Sequence, residues 1–334
     1  MFVIGVDIGG MSIKAGIVDS YGNIIFKSRI PTPKKPEDAI SGIVKQINNL
    51  ISSQGLSLDN ISGIGIGCPG SVNNKQGVIQ YANNLEWHNV PLKAELAKYF
   101  SVKIEINNDA NVATLAEVKY GVAKNYSSAI MLTLGTGVGG GIVIDNKIFS
   151  GSDGLGAELG HHTLILGGNT CTCGRKGCFE VYASATALIK QTKKAMLEDK
   201  DSIMWEYSGN SIDKVDGKTA FECAKLNDST AIKVRDKYIE YLGEGIINML
   251  NIFRPEVIII GGGISAQGDY LISLVKEYLK KEHYGYACVQ IDILIAKLGN
   301  DAGIIGAAAL IWYKGRKKNE VYTKVWQRIF TNEH

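Results

Sequence analysis

Three cysteines in one short stretch of the sequence could hold a metal ion. Cys171, Cys173 and Cys178 follow the pattern Cys-x-Cys-Gly-x-x-Gly-Cys, whose two glycines permit tight left-handed turns. Three thiolates and one imidazole form a ligand set that suits tetrahedral zinc. His161 is the candidate fourth ligand, and its neighbour His162 is the rival. The alternative is a loop with three free cysteines, or with one disulfide and a spare thiol.

A glycine run upstream of this cysteine loop could bind phosphate. Gly135, Gly137 and Gly140 match the G-x-G-x-x-G pattern of dinucleotide sites, which requires a helix to follow. Residues 141–144 are instead an apolar stretch of strand type, and a polar turn and a further strand come next. We therefore predict a phosphate-binding hairpin with backbone N–H groups facing the anion. An NAD-binding site of the Rossmann type is disfavoured.

An aspartate at the end of an apolar strand is the candidate catalytic base. Asp109 comes shortly after the strand-type residues 102–106 and stands where a helical pattern begins. A carboxylate in such a place can accept a proton from a hydroxyl group within hydrogen-bond reach. Asp and Asn are also good helix N-caps, so the residues alone leave both roles of Asp109 open.

Composition and charge exclude several classes of protein. The chain has 334 residues, of which 45% are hydrophobic and 21% are charged, as in an ordinary globular protein. The net charge of +3 gives no electrostatic reason to expect a nucleic-acid partner. No apolar run approaches the roughly 18 residues of a membrane helix, and the first residues lack a signal-peptide pattern. The isolated cysteines Cys68, Cys223 and Cys288 fit a reducing cytoplasm better than a disulfide framework.

The elements that position these groups occur twice along the chain. Residues 2–7, 14–19 and 24–30 predict three strands joined by turns, and the glycine run repeats this plan. In the first half there follow a helix over 37–53, a strand over 61–67, and a strand over 102–106 that leads into a helix. Their counterparts in the second half are a helix over 231–253, strands over 257–260 and 289–296, and a helix over 302–313.

Two β-β-β-α-β-α-β-α units imply two α/β domains that face each other across a cleft. We predict a smaller N-terminal domain over residues 1–115, joined by the C-terminal helix 302–334. A larger domain over residues 116–301 carries the cysteine loop. In open α/β sheets, ligands bind beyond the carboxyl ends of the strands, which is where the glycine turns and Asp109 lie.

The duplicated plan resembles the actin-like superfamily of sugar kinases, whose domains have a ribonuclease H-like fold. An Asp-x-Gly-Gly turn at residues 7–10, the glycine run, Glu-x-Gly-His at 158–161 and the cysteine loop together resemble the ROK family (repressors, open reading frames and kinases). Members are ATP-dependent hexose kinases, or repressors with a DNA-binding helix-turn-helix ahead of the Asp-x-Gly-Gly turn. Because that turn begins at residue 7 here, the resemblance implies a kinase.

Within these kinases, residues 180–186 resemble the glucokinase branch. That resemblance implies transfer of the ATP γ-phosphoryl group to the 6-hydroxyl of glucose, with Asp109 as the base. Related kinases act on fructose, N-acetylmannosamine, N-acetylglucosamine or allose, and a non-catalytic sugar-sensing ROK protein is a further alternative. The resemblance also implies Mg²⁺ with the ATP, a structural Zn²⁺, a cytoplasmic location and a homodimer or homotetramer.

The resemblance assigns site residues one by one. The substrate-binding set is Gly70, Asn83, Asn108, Asp109, Glu158, His161 and Glu180. The nucleotide-binding set is Asp7, Gly9, Gly10, Ser12, Lys14, Gly135, Thr136, Gly137, Gly139, Gly262 and Gly263. The zinc set is His161, Cys171, Cys173 and Cys178. The sequence departs from the family at Met11, where threonine is usual, so one hydroxyl that could contact phosphate is replaced by a thioether.

Overall fold

Two five-stranded sheets of the same topology form the framework of this computed structural model, which describes residues 1–282 and 291–312. The first sheet contains β1 (Phe2–Ile8), β2 (Ser12–Val18), β3 (Ile24–Pro31), β4 (Ile61–Cys68) and β8 (Lys103–Asn108), in the order β3-β2-β1-β4-β8. The second contains β9 (Ala129–Leu134), β10 (Val138–Ile144), β11 (Lys147–Phe149), β12 (Val257–Gly261) and β13 (Asp292–Ile295), in the order β11-β10-β9-β12-β13. In each sheet an antiparallel meander continues into two parallel strands, which confirms the predicted duplication.

The central strands are apolar along their whole length because helices cover both faces of each sheet. All residues of β12 are buried, and so are nearly all residues of β4. One face of the first sheet packs against α1 (Pro36–Ser53), and the second sheet packs against α8 (Ser229–Phe253). Both cores are built from the isoleucine, valine and leucine side chains that mark these strands in the sequence.

Helices separate and cover the sheets. Their bounds are α1 Pro36–Ser53, α2 Leu92–Ala97, α3 Asp109–Lys119, α4 Glu180–Ala183, α5 Ala185–Glu198, α6 Met204–Tyr207, α7 Thr219–Lys225, α8 Ser229–Phe253, α9 Gly268–Glu282 and α10 Ala302–Trp312. Helix α1 begins with a proline and has two acidic residues in its first turn, as expected at a helix N-terminus. None of the described helices has the length and apolar character needed to cross a bilayer.

A small third sheet was not predicted from the sequence. It consists of β5 (Ser71–Asn73), β6 (Val78–Ala82) and β7 (Trp87–Val90), which are antiparallel. Trp87 is buried, and its indole N–H donates to the carbonyl oxygen of Lys34 at 2.9 Å. This sheet adjoins the carboxyl end of β4, so it extends the first half of the molecule beside the candidate site.

Several predicted boundaries can be compared directly with the structure. The predicted helices over 37–53 and 231–253 correspond to α1 and α8, whose bounds differ by no more than the first turn. The strand predicted over 289–296 is β13, and its residues 289–290 lie outside the described chain. Residues 313–334 of the predicted C-terminal helix also lie outside it. The domain division at residues 115 and 116 stays a prediction, and α3 runs across it as one helix.

Candidate active site

A cavity of about 450 Å³ lies at the carboxyl ends of strands from both large sheets. It is lined by the following residues of the predicted site: Gly70, Asn108, Asp109, Gly135, Thr136, Gly137, Gly139, Glu158, His161, Glu180 and Gly262. The structure therefore brings the candidate base, four candidate sugar-binding side chains and the glycine hairpin to one space. Its volume suits a small molecule.

The remaining residues of the predicted substrate-binding and nucleotide-binding sets lie outside the cavity lining. They are Asn83, Asp7, Gly9, Gly10, Ser12, Lys14 and Gly263. Gly10 is adjacent to Asn84, which does line the cavity, so the first glycine turn borders the same space. Asn83 instead accepts a hydrogen bond from the hydroxyl of Tyr81 at 2.8 Å.

Sequence reasoning missed several lining residues. Besides Asn84, they include Ser71, Asn111, Gly154, Gly156 and Ala157. Asn111 could have been found, because a residue three positions after Asn108 lies on the same side of a helix. Ser71 and Asn84 belong to the unpredicted small sheet and its connecting turn, and no pattern in the sequence marks them.

Asp109 is the first residue of α3 and is not its N-cap. Asn108 is the cap, and its side-chain oxygen accepts from the backbone N–H groups of Ala110 and Asn111. The alternative role of Asp109 as the N-cap is therefore wrong. Its Oδ1 accepts from the N–H of Ala110 at 2.8 Å. Burial raises the pKa of Asp109 to about 6, with further contributions from the negative charges of Asp7 and Glu158.

Asn108 links the start of α3 to the small sheet. Its amide nitrogen donates to the carbonyl oxygen of Gly70 at 3.0 Å, while its oxygen caps the helix. An amide nitrogen carries two hydrogens, so Asn108 can hold Gly70 and still donate to a ligand. The adjacent Asn107 and Asn111 are buried and joined by a hydrogen bond of 3.1 Å, which makes this corner rigid.

Glu158 is held by a sharp backbone turn beside the cavity. Its φ and ψ of −73° and 68° and the 2.8 Å bond from Leu159 N–H to the Ala157 carbonyl define an inverse γ-turn. Ala157 itself has φ 71°, a left-handed conformation that is unusual for alanine. Burial raises the pKa of Glu158. The electrostatic interaction with His161 lowers this pKa, and the interaction with Glu180 raises it.

Glu180 joins the cysteine loop to the glycine hairpin. Its Oε2 accepts from the backbone N–H of Val138 at 3.0 Å, and the Cys171 Sγ lies 3.8 Å from its Oε1. A side chain at Gly137 would overlap this carboxylate and displace it from the N–H of Val138, so glycine permits the close approach. Glu180 also begins α4, where a negative charge is favoured by the helix dipole.

His161 and the three cysteines form a cluster that fits a tetrahedral metal ion. One ligand atom of each residue lies within 4.8 Å of the others. The distance from Cys171 Sγ to His161 Nδ1 is 3.7 Å, and that from Cys173 Sγ to Cys178 Sγ is 3.6 Å. Bonds of about 2.3 Å to sulfur and about 2.1 Å to nitrogen place ligand atoms at such separations in a tetrahedron.

His162, the rival ligand, points elsewhere. Its Nδ1 lies 2.6 Å from the carbonyl oxygen of Leu159, and its ring packs on Phe179 with centroids 5.0 Å apart. Burial lowers the pKa of His162. The structure therefore favours His161 for the metal cluster. The alternative of one disulfide in this loop is also wrong, because Cys171, Cys173 and Cys178 are all free thiols.

The first glycine turn is bordered by an ion pair. Lys14 Nζ lies 3.2 Å from Asp7 Oδ2, and the two residues face each other across the β1–β2 pair. The turn between them is closed by a bond of 3.0 Å from the N–H of Gly9 to the carbonyl oxygen of Ser12. Met11 at its tip is 86% exposed, so its side chain makes little contact with the protein.

The second glycine turn lies against the end of β12. The N–H of Gly135 donates to the carbonyl oxygen of Gly137 at 3.0 Å, and a strand follows as predicted. Gly262 has φ 82° and packs on the backbone of Leu134, which leaves no room for a side chain. The hairpin and the end of β12 thus form one continuous edge of the cavity.

Comparison with known proteins decides the family. The ROK family model matches residues 3–314, which is almost the whole chain. The chain belongs to the ROK family. The glucokinase of Halalkalibacterium halodurans is 36% identical over 312 residues, which are 92% of this chain and 94% of that protein. A xylose repressor of Caldicellulosiruptor bescii is 30% identical over 313 residues, but these are only 77% of the repressor.

Solved structures confirm the fold. The crystal structure of a ROK family glucokinase from Streptomyces griseus in complex with glucose and AMPPNP matches with a TM-score of 0.74 and 32% identity. The match covers 93% of this chain and 99% of the glucokinase. The predicted actin-like, ribonuclease H-like α/β fold of the ROK sugar kinases is therefore confirmed.

Proposed function

We propose that this chain is an ATP-dependent hexose kinase that transfers the γ-phosphoryl group of ATP to the 6-hydroxyl of glucose. The observation that carries the proposal is the position of Asp109 in the same cavity as the glycine hairpin and the candidate sugar acceptors. A glucokinase is among the relatives with 36% identity, and one similar structure binds glucose and an ATP analogue. Both support ATP as the donor and glucose as the acceptor.

The chemistry follows from the charge of Asp109. With a pKa of about 6, its carboxylate is ionised at neutral pH and basic enough to accept a hydroxyl proton. The sugar O–H bond breaks as the oxygen attacks the γ-phosphorus, and the bond from that phosphorus to the bridging oxygen of ADP breaks. Backbone N–H groups of the glycine hairpin donate to the phosphate oxygens, because transfer of this kind depends on positioning and charge stabilisation.

Sugar recognition is assigned to the polar groups along the cavity. Glu158 and Glu180 are acceptors for sugar hydroxyls, His161 can donate or accept, and Asn108 can donate. Gly70 contributes its backbone beside Asn108, and Asn83 stays the least supported member of the predicted set because Asn84 lines the cavity instead. Each buried sugar hydroxyl needs a partner, which is the reason for several acceptors.

Two metal ions are part of the proposal. The His161–cysteine cluster would hold a structural Zn²⁺ with four protein ligands and no open position. Mg²⁺ would arrive with ATP and neutralise phosphate charge, and the carboxylates of Asp7 and Asp109 are the candidate groups near it. These two carboxylates are close enough for Asp7 to raise the pKa of Asp109.

A coupled ADP-release assay with a panel of hexoses tests the proposal. We expect turnover with glucose, and Asp109→Asn should lower it by roughly 100-fold or more while glucose binding changes only a few-fold. Asparagine keeps the shape and one acceptor of Asp109 but cannot take a proton. Turnover near the wild-type rate would show that Asp109 is not the base. A preference for fructose, allose, N-acetylmannosamine or N-acetylglucosamine would name another ROK kinase.

A sugar-sensing protein without catalysis is the second candidate. The similarity to xylose repressors and the exposed Met11 in the nucleotide turn favour it. Hexose binding without ADP release in the same assay would support the sensor and refute the kinase.

The location and the assembly complete the proposal. We place the protein in the cytoplasm, where ATP is available and where the free thiols of Cys68, Cys171, Cys173, Cys178 and Cys223 stay reduced. A homodimer or homotetramer stays a prediction, which light scattering on the purified protein would test.

A further inference from the structure

A buried carboxylate near the end of α3 has no role in the chemistry described above. Glu117 is fully buried, about 12 Å along the helix from Asp109 at 1.5 Å per residue. Its Oε1 accepts from the backbone N–H groups of Lys297 at 2.7 Å and Leu298 at 2.8 Å. Its Oε2 accepts from the N–H of Val122 at 3.0 Å. Hydrogen bonds to a carboxylate are stronger than those between neutral groups, so this contact is well anchored.

Two segments carry the chain from one large sheet to the other, and we call them passages. Glu117 lies where these two segments meet. The first passage is α3, which follows β8 of the first sheet and leads towards β9 of the second. The second passage is the segment 296–301, which follows β13 of the second sheet and leads into α10. Helix α10 packs back against β1 and β4 of the first sheet. The Glu117 carboxylate therefore ties both passages together at one point.

Each passage also reaches one part of the candidate site. The first begins with Asp109, the candidate base. In the second, the carbonyl oxygen of Asn300 accepts from Lys14 Nζ at 3.4 Å, and Gly303 at the start of the following helix α10 lies against the carboxylate of Asp7. Glu117 is thus a buried polar contact between the helix that carries the base and the segment that leads to the first glycine turn, in addition to the apolar packing of α3 on α10.

We propose that Glu117 is a positioning residue that sets the placement of Asp109 relative to the first glycine turn during phosphoryl transfer. The inference rests on the kinase function proposed above. Sugar and nucleotide each keep their own contacts when Glu117 is altered, but the transfer requires both to be aligned. A misplacement of about 1 Å can cost roughly 100-fold in rate. The loss should therefore appear in kcat and not in either KM.

Steady-state kinetics of Glu117→Gln test the inference. The glutamine oxygen can still accept from Lys297 and Leu298, but the NH₂ group would face the N–H of Val122. One buried donor then loses its partner, and the two passages shift. We expect kcat to fall by roughly 10-fold or more, while KM for glucose and KM for ATP stay within about 3-fold.

Asp228→Asn is the matched control. Asp228 accepts from the backbone N–H groups of Ala231 at 2.7 Å and Ile203 at 2.9 Å, so it too is a carboxylate that holds two amides. It caps α8 and joins helical segments of the second half only, and it is not part of the cavity lining. We expect a loss of thermal stability but the wild-type kcat.

Gly121→Ala perturbs the same contact without removing the charge. A side chain at Gly121 would overlap both Oε2 and the backbone Cα of Glu117, so it would displace the carboxylate together with the end of α3. We expect the same selective loss of kcat, measured below the melting temperature of every variant. The inference is wrong if Glu117→Gln and Gly121→Ala both keep the wild-type kcat, as Asp228→Asn should. It is also wrong if both variants raise the two KM values with kcat unchanged, or if both fail to fold. An inactive wild-type protein would instead refute the kinase function itself.

Discussion

Asp109 owes its chemistry to its surroundings at the start of α3. Burial and the negative charges of Asp7 and Glu158 disfavour its ionised form, although the N–H of Ala110 partly offsets this. The same residue type on the surface, such as Asp199 or Asp19, keeps a low pKa because hydrogen bonds stabilise its charge there. A base with a raised pKa carries a cost in stability, and this cost can be measured.

Asp109→Asn should stabilise the protein at alkaline pH. Because the folded pKa of about 6 lies above the ordinary value of 3.8, the stability that protonated Asp109 contributes is complete below pH 4 and is lost as pH rises through about 6. Asparagine does not ionise, so the variant should gain up to about 3 kcal/mol at pH 8, less where water screens the charge. Urea unfolding at pH 4, 6 and 8 would measure it. A variant less stable than wild type at pH 8 would contradict the raised pKa.

The pH dependence of turnover follows from the same group. The value of kcat/KM for glucose in the wild-type protein should fall about tenfold per pH unit below about 6, where Asp109 becomes protonated. A rate that is flat from pH 7 to pH 4.5 would show that another group is the base. A stopped assay that measures glucose phosphate directly avoids the pH limits of coupling enzymes.

Met11→Thr tests the departure from the family pattern in the first glycine turn. Met11 is exposed at the tip of this turn, and threonine would place a hydroxyl where the family has one. If this hydroxyl donates to a phosphate oxygen, KM for ATP should fall by roughly 5- to 10-fold, corresponding to about 1 kcal/mol. Met11→Val is the control, because valine has nearly the same shape as threonine but lacks the hydroxyl. Unchanged ATP kinetics would show that Ser12 or the backbone already provides this contact.

At the scale of elements, the cysteine loop acts as a support for sugar-binding groups. His161 presents Nδ1 to Cys171, which leaves Nε2 for the cavity that His161 also lines. Glu180, after the last cysteine, bonds the glycine hairpin through the N–H of Val138. An ordered loop therefore fixes His161 and Glu180 together, and its effect should be stronger on the sugar than on the nucleotide.

Cys171→Ser, or exhaustive chelation, should weaken glucose binding by roughly 10- to 100-fold, as seen when the support of a ligand is lost. ADP binding should change much less, because the first glycine turn lies outside the loop. Calorimetry with glucose and with ADP, on metal-loaded and metal-free protein, would measure both, and zinc analysis would confirm the loss of metal. Equal losses for both ligands would mean that the metal holds the whole fold. Unchanged glucose binding would exclude the link through His161.

The elements that the sequence predicts well are those with long apolar runs. Strands β4 and β12, and helices α1 and α8, carry enough period or length to be found without a structure. The small sheet β5–β7 is missed because its strands are short and partly polar, and α6 and α7 lie in a polar stretch without motifs. The capping role of Asn108 could not be assigned either, because Asn107, Asn108 and Asp109 are all good N-cap residues.

At the scale of the whole molecule, the two halves also touch through residues that adjoin the cavity lining. Lys75, in the turn after β5, donates through Nζ to the carbonyl oxygen of Ser152 at 2.8 Å. Asn74 donates to the hydroxyl of Ser150 at 3.4 Å. Three residues of the adjoining segment 151–157 line the cavity, namely Gly154, Gly156 and Ala157. Because these contacts hold a lining segment in place, we expect a bound sugar to leave more slowly while they are formed.

Lys75→Met should therefore speed the release of glucose. The bond to Ser152 is exposed, so its loss should cost only about 0.5–1 kcal/mol, which corresponds to a roughly 2- to 5-fold higher dissociation rate. Lys98→Met is the control, because Lys98 is also an exposed lysine but pairs with Glu95 one turn earlier, within the first half of the molecule. Stopped-flow fluorescence of glucose release would compare the two variants with wild type. Equal acceleration in both would mean that general surface charge sets the rate, and the contact between the two halves would then have no part in holding the sugar.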